Sequence, residues 1–298
     1  PLGIEARMKE INGHTVREPS IRSAFDMALY DVAAKTANMP LYQFLGGEMD
    51  EQGNPREIRT DLTIGMQKTV EETLKHAKNI VAAGFDAIKM KVGRPGLADV
   101  DHIAAVRELV GPDIAIKMDS NQGWDYPTAV ANINAMKPFN LQYSEQPLAV
   151  WDFDNLARLR DKVELPICVD ESVFDHRDAF KLVKQGAADF LNIKLGKSGG
   201  IHTALKINAI AEATAVKCMI GCFAESRLAL SAAAHLAIAK PNIFFLDLDS
   251  AYDFVKDPVI GGMQYDQKIG GRITVPTTPG HGASFDESQL DNKITVAE

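Results

Sequence analysis

Six charged side chains recur at a nearly fixed step: Lys89 and Lys91 in AIKMKVG, Asp119 in MDSNQG, Glu145 in SEQPL, Asp170 in VDES and Lys194 in NIKLGKSGG. Counted from Lys91, the steps are 28, 26, 25 and 24 residues. Charges that end buried strands are costly unless they are paired or hold a metal. Asp119, Glu145 and Asp170 offer an all-oxygen set, which suits Mg²⁺, a hard octahedral ion that keeps positions open for water or substrate. A lysine works as a general base only when neutral, and its reference pKa of roughly 10.4 falls with burial or nearby positive charge. Lys89 beside Lys91, together with Mg²⁺, would supply that positive charge. Two lysines facing each other across a metal-held carboxylate suit one chemistry. One removes an α-proton, the metal stabilises the enolate, and the other returns a proton to the opposite face. The outcome is racemisation or epimerisation. Against this stand ordinary ion pairs, a helix cap at Asp170-Glu171-Ser172, and a Schiff-base lysine of the kind barrel aldolases use.

Each rung ends an apolar, β-branched-rich run and is followed by an amphipathic helical stretch. The strands read TDLTIG, DAIKMKVG, DIAIKMDSN, LQYSEQP, LPICVDES, DFLNIKLG, AVKCMIG and NIFFLDLDS. Helices among them include TVEETLKHAKNIVAAG, LADVDHIAAVRELVG, IHTALKINAIAEAT and RLALSAAAHLAIAK. Strand and helix alternating at a uniform step predict a closed (β/α)₈ barrel rather than an open sheet. Its functional residues collect where strands end, at the face built by the βα loops. Side chains two apart on a strand share a face, so Lys89 with Lys91, and Asp119 with Lys117 and Asn121, can point into the interior mouth. Asp247 and Asp249 of the eighth strand form a second such pair. Like charges there suit a cationic group on a ligand, against a reading in which Asp249 caps a turn and Asp247 pairs with a nearby cation.

Before the barrel, Pro19 suits a first helical turn, and Ile21, Ala24, Phe25, Ala28, Leu29 and Val32 follow a 3.6-residue period, predicting a helix buried on that face. MDEQGNPREIR is a polar connector, which puts a domain boundary near Arg59. Residues 251–298 read as irregular chain with one short strand, RITVP, packing back on the N-terminal element. The chain begins at Pro1 without a methionine, as a processed or truncated chain would. A net charge of −8 argues against nucleic acid or an anionic membrane as partner. No apolar run approaches the ~20 residues of a membrane span. Cys168, Cys218 and Cys222 give no disulfide framework, which favours a reducing cytoplasm. Oligomeric state stays open, a homo-oligomer included. Glu225 either lines the mouth or favours a helix N-terminus, His235 reads as a packed core histidine, Trp124 as loop packing, and Cys168 carries no mark of a nucleophile. His281 has no assigned role.

KMKVG, MDSNQGW, SEQPL, VDES and NIKLGKSGGI together resemble the motif set of the enolase superfamily, in its muconate-lactonising subgroup. The likeness covers residues 15–282 and includes the helix IRSAFDMALYDVAAK, similar to the family's capping-domain helix. A Lys base working with Mg²⁺ is a known pattern of that superfamily. The resemblance implies that Lys91 and Lys194 are the acid/base pair, that Asp119, Glu145 and Asp170 ligate Mg²⁺, and that Lys89 assists Lys91 and the bound carboxylate. Lys197 would stand no closer than behind the ligands. It further implies the C-terminal part of a capping domain over 1–59, the barrel over 60–250, and a tail over 251–298. Asp247-x-Asp249 resembles the motif with which dipeptide epimerases hold the substrate's α-ammonium. The expected activity is Mg²⁺-assisted inversion of the C-terminal residue of a dipeptide, of Ala-Glu type, from cell-wall peptide turnover. N-acylamino-acid racemisation, o-succinylbenzoate synthesis and muconate cycloisomerisation need the same ladder without an ammonium site. A barrel kept for binding alone is the rival from another class.

Overall fold

A computed structural model describes residues 2–15 and 17–289. Eight parallel strands form one sheet in sequence order. They are β2 (Leu62–Ile64), β3 (Ala87–Lys91), β4 (Ala115–Asp119), β5 (Ser144–Glu145), β6 (Ile167–Val169), β7 (Phe190–Lys194), β8 (Lys217–Gly221) and β9 (Ile243–Asp247), preceded by the short β1 (Ile58–Arg59). The helices between them are α4 (Val70–Ala82), α5 (Ala98–Val110), α6 (Tyr126–Met136), α7 (Phe153–Lys162), α8 (His176–Lys184), α10 (Ile201–Ala213) and α11 (Arg227–Ala239), with the single-turn α9 (Leu195–Ser198) before α10. All eight expected strands are present. The uniform step is therefore one strand and its return helix.

Local chemistry sets several of these boundaries. Thr69 and Glu72 close a reciprocal capping box on α4, and Asp175 with Asp178 does the same for α8. Asp125 caps α6 ahead of Pro127. Ile88, Ile116, Ile167, Leu191 and Ile220 are fully buried between strand and helix layers, each contributing ~1.5–3 kcal/mol relative to exposure. Inside the barrel, Tyr143, Cys168 and Met219 pack with Phe190 and Phe245, and the Tyr143 and Phe190 rings each sit 5.0 Å from Phe245. This apolar floor keeps water from entering beneath the charged rim. Between β9 and β2 no ladder forms among the described residues; side chains close the seam. Thr60 Oγ1 accepts from Leu248 N at 2.8 Å, and Asp249 Oδ2 accepts from Thr63 N at 2.8 Å.

Three helices precede the barrel: α1 (Ile4–His14), α2 (Pro19–Thr36) and α3 (Leu41–Phe44). Here the face expected to be buried is the wrong one. Ile21, Phe25 and Val32 are 48%, 56% and 41% exposed, while Ser23, Asp26, Tyr30, Asp31, Ala33 and Ala34 face inward. The helix carries apolar residues on both sides, so period alone does not choose its face. Polar docking chooses it instead. Asp26 accepts from Ile201 N and, at 3.2 Å, from His202 N, capping α10 from another helix. Gly200, at φ +108°, has no room for a Cβ against Asp26. Burial pushes the Asp26 carboxyl up to about 7, against those backbone donors.

The tail also departs from expectation. Instead of one strand it carries β10 (Val259–Gly261), β11 (Gln264–Tyr265), β12 (Arg272–Thr274) and β13 (Ala283–Phe285). β12 pairs with β1 and β11, and β10 with β13. Strands of two or three residues with intervening glycines are too short to show alternation. Asp31 Oδ1 accepts from His281 N at 2.9 Å, and Leu41 N donates to Gly280 O at 2.8 Å, tying the tail to α2 and α3. Among the described residues no helix is long and apolar enough to cross a membrane. Asp26→Ala should cost about 1–2 kcal/mol in urea unfolding, with Asp26→Asn recovering most of it. An unchanged midpoint for the alanine variant would show that α2 does not cap α10.

Candidate active site

The strand register places the rungs at one height. Lys91 stands opposite Asp119, Asp119 opposite Glu145, Lys194 opposite Gly221, and Gly221 opposite Asp247. Asp170 follows the last residue of β6 directly. In the order of strands, β3 and β7 lie half a barrel apart, as do β5 and β9. Lys91 and Lys194 therefore face each other across the mouth. Asp119, Glu145 and Asp170 fill the arc between them, and Asp247 with Asp249 lies on the opposite side. This is a cross with lysines at two ends and carboxylates at the other two.

Lys89 sits beneath the centre, 1% exposed. Its Nζ donates to Asp247 Oδ2 at 2.6 Å and stands 2.8 Å from Glu145 Oε2 and 3.1 Å from Asp119 Oδ2. Burial disfavours its charge, but Asp247, Glu145 and Asp119 outweigh it and hold the ammonium well above the usual lysine range. Lys91 Nζ donates to Asp119 Oδ2 at 2.6 Å and to Asn121 Oδ1 at 2.8 Å. Lys194 Nζ lies 2.7 Å from Asp170 Oδ2 and 5.3 Å from the centre of the Phe223 ring. Burial opposes the Lys194 charge, and Asp170 and Glu145 overcome it to hold the group as the acid. Gly221 leaves room for this side chain, since a Cβ there would stand 2.8 Å from Asn192 Oδ1 and 3.2 Å from Lys194 Cε.

The carboxylates differ in their surroundings. Glu145 is wholly buried, and burial with the neighbouring Asp119 charge pushes it up to about 7. Its Oε1 accepts from Asn192 Nδ2 at 2.7 Å, while Oε2 has no hydrogen bond despite its nearness to Lys89. Asp170 is opposed by burial but held at about 2 by Lys197 and Lys194. Lys197 donates to Asp170 Oδ1 and to the Asp170 carbonyl, both at 2.5 Å, and to Asn192 O at 3.0 Å. Asp247 is held well below the usual range by Lys89 against burial, whereas burial and Asp247 push Asp249 up to about 6. Half of the plainer reading of this pair is thus present: Asp247 does pair with a lysine, while Asp249 braces Thr63 rather than capping a turn.

Several residues outside the ladder join it. Asn192 and Lys197 orient Glu145 and Asp170, and Asn121 meets Lys91. Lys117 turns away from the mouth to Asp61 Oδ2 at 2.7 Å. The tightest acidic grouping among the described residues is Asp61, Asp247 and Asp249, with oxygens within 4.8 Å of one another, and not the Asp119, Glu145 and Asp170 arc. Asp61 and Thr63 are two apart in TDLT, the same same-face spacing that singles out Lys89 and Lys91; that signal could have found Asp61. Glu225 Oε1 accepts from Phe223 N at 3.1 Å within its own loop. His235 is core: its Nδ1 accepts from Tyr42 N at 3.1 Å, and burial pulls it down to about 3. Trp124 and Cys168 are buried. Lys89→Met would strand three buried carboxylates, with an expected loss of about 3–5 kcal/mol in urea unfolding. A loss near zero would mean that Lys89 does not hold them.

Residues 72–289 match the family model described as enolase C-terminal domain-like, and residues 3–46 match the mandelate racemase / muconate lactonizing enzyme N-terminal domain. The hydrophobic dipeptide epimerase of Enterococcus faecalis is 40% identical over 90% of this chain and 74% of its own length. The L-Ala-D/L-Glu epimerase of Bacillus subtilis is 38% identical over 94% of this chain and 75% of its own. A crystal structure of a dipeptide epimerase from Cytophaga hutchinsonii, complexed with Mg and D-Ala-L-Val, superposes with a TM-score of 0.92 at 37% identity, covering 97% of this chain and 76% of that one. The chain belongs to the mandelate racemase / muconate lactonizing enzyme family of the enolase superfamily.

Proposed function

We propose that the chain is a Mg²⁺-dependent dipeptide epimerase that inverts the α-carbon of the C-terminal residue by 1,1-proton transfer. The observation that carries this reading is the cross: opposed lysines on one axis, and on the other a three-carboxylate arc facing the Asp247 and Asp249 pair. A dipeptide is a match in charge, with a carboxylate at one end and an ammonium at the other. Laid along the carboxylate axis, it places its C-terminal α-carbon between Lys91 and Lys194. Relatives that are named dipeptide epimerases support the substrate class, and Ala-Glu dipeptides of cell-wall turnover, met in the cytoplasm, are the natural candidates.

Asp119, Glu145 and Asp170 fit a metal. Their donors are all oxygens, and Glu145 Oε2 is a fully buried acceptor that makes no hydrogen bond among the described residues and has only the Lys89 charge, 2.8 Å away, beside it, next to two more carboxylates that burial alone would not leave charged. When bound there, Mg²⁺ supplies Lewis-acid stabilisation of the negative charge that develops on the substrate carboxylate. The remaining work belongs to the chain. Lys91 and Lys194 take and return the α-proton on opposite faces, each in its neutral form when it accepts. Asn121 orients Lys91, and Asp170 with the Phe223 ring orients Lys194. Asn192 and Lys197 hold Glu145 and Asp170 in place. The aromatic floor under Lys117 excludes water from below, where it would otherwise exchange protons with the site.

Two bases on opposite faces make a prediction that one base cannot. In deuterium oxide with Mg²⁺ and L-Ala-L-Glu or L-Ala-D-Glu, Lys91→Ala and Lys194→Ala should each lose epimerisation by ~10³-fold or more. Each should retain α-proton exchange on one epimer only, the opposite one in the two variants, read by mass spectrometry. EDTA should stop exchange in all of them. Loss of exchange on both epimers in one variant, with full activity in the other, would replace the two-base reading with a single base.

A further inference from the structure

Asp61 belongs to none of the roles above, yet it stands against the carboxylates that face the mouth. It precedes β2 and is 1% exposed. Its Oδ2 accepts from Lys117 Nζ at 2.7 Å; its Oδ1 is buried and without a hydrogen bond among the described residues. An oxygen of Asp61 lies within 4.8 Å of oxygens from both Asp247 and Asp249. The three approach from opposite sides of the unladdered seam between β9 and β2.

The partners of this cluster leave it one cation short. Lys117 answers Asp61 and Lys89 answers Asp247, whereas Asp249 accepts from Thr63 N and has no lysine partner among the described residues. Lys89 is also shared with Asp119 and Glu145. Burial pushes the Asp61 carboxyl well above the usual range, and Asp247 and Asp249 push it further against Lys117. Like charges this close in a dry interior are relieved by a cation bound among them. A singly charged ammonium fits, and every hydrogen bond that Asp247 and Asp249 make through their side chains uses Oδ2.

We propose that Asp61 is a specificity-determining positioning residue of the ammonium subsite, set behind Asp247 and Asp249 so that three carboxylates converge on the substrate's α-ammonium. The inference rests on the dipeptide reading and deepens it. Asp61 acts through its charge and through the pair in front of it, since the aspartates of β9 and its end separate it from the mouth. Lys117 keeps it in place: its head also reaches Leu246 O at 3.3 Å, and it lies over the Phe245 ring at 5.1 Å.

The test compares KM for L-Ala-L-Glu with the inhibition constant of N-acetyl-L-Ala-L-Glu, which keeps the carboxylates and lacks the ammonium, in the Mg²⁺-loaded enzyme. Asp61→Asn should raise KM for the free dipeptide about tenfold, more than it lowers kcat, and leave the inhibition constant of the acetylated compound within about twofold. Because Asp61→Asn leaves Lys117 unpaired in the interior, Asp61→Asn/Lys117→Met is measured beside it. The double variant removes both charges and should keep the raised KM. Recovery of wild-type KM in the double variant, or an equal shift for both compounds in either variant, would overturn the inference by reducing Asp61 to a partner for Lys117. A wild-type enzyme that binds the acetylated compound as tightly as the free dipeptide would defeat the dipeptide reading itself, and the inference with it.

Discussion

Lys89 gathers three buried carboxylates from three different strands around one ammonium, and the mouth of the barrel depends on that arrangement. Asp119, Glu145 and Asp247 have almost no access to water, so each would expel its charge or its neighbours without a cation at hand. A single lysine at 2.6–3.1 Å from all of them holds the group together and keeps Asp119 and Asp247 charged. It also sets what is left over. With Lys89 shared three ways, Lys91 and Lys194 paired to the flanks and Lys117 drawn down to Asp61, the carboxylates still outnumber the lysines among which they sit. With Lys197 also on Asp170, that excess falls at the seam, where Asp249 has no lysine partner among the described residues, and it is an affinity for added positive charge.

The scaffold turns this excess into geometry. Parallel register carries Lys91, Asp119 and Glu145 to one height, and Lys194, Gly221 and Asp247 to one height. Closure of the sheet then converts adjacency in sequence into opposition in space, half a barrel apart. Two details protect the result. Gly221 leaves an open slot through which Lys194 reaches the mouth, and α2 clamps the turn after β7 by capping α10 through Asp26 and by donating Ser20 Oγ to Gly196 O at 3.2 Å. The helix outside the barrel therefore helps position a lysine inside it.

Much of this was legible before any coordinates, because a parallel barrel writes its active site into the chain at regular intervals. Lys91, Asp119, Glu145, Asp170 and Lys194 end or follow runs rich in apolar residues, and that contrast is strong. What was not legible depended on contacts across the barrel or between faces of equal polarity. Asp61 meets Asp249 only at the seam, where Thr63 and Asp249 are 186 residues apart in the chain, and nothing in TDLTIG announces the partner. Lys117 shares a face with Asp119 but points lower, into the aromatic floor. On α2 apolar residues lie on both sides, and the buried face was chosen by Asp26, Asp31 and small alanines rather than by Ile21 and Phe25. The tail strands are too short to carry a period.

We assign the metal to the arc of Asp119, Glu145 and Asp170 and the substrate's ammonium to Asp247 and Asp249, with Asp61 behind them. Anomalous diffraction from crystals grown with Mn²⁺ in place of Mg²⁺ and soaked with L-Ala-L-Glu separates the two directly. One anomalous peak is expected, ligated by Asp119, Glu145 and Asp170, with the dipeptide's amino group against Asp247 and Asp249. A peak among Asp61, Asp247 and Asp249 would contradict it.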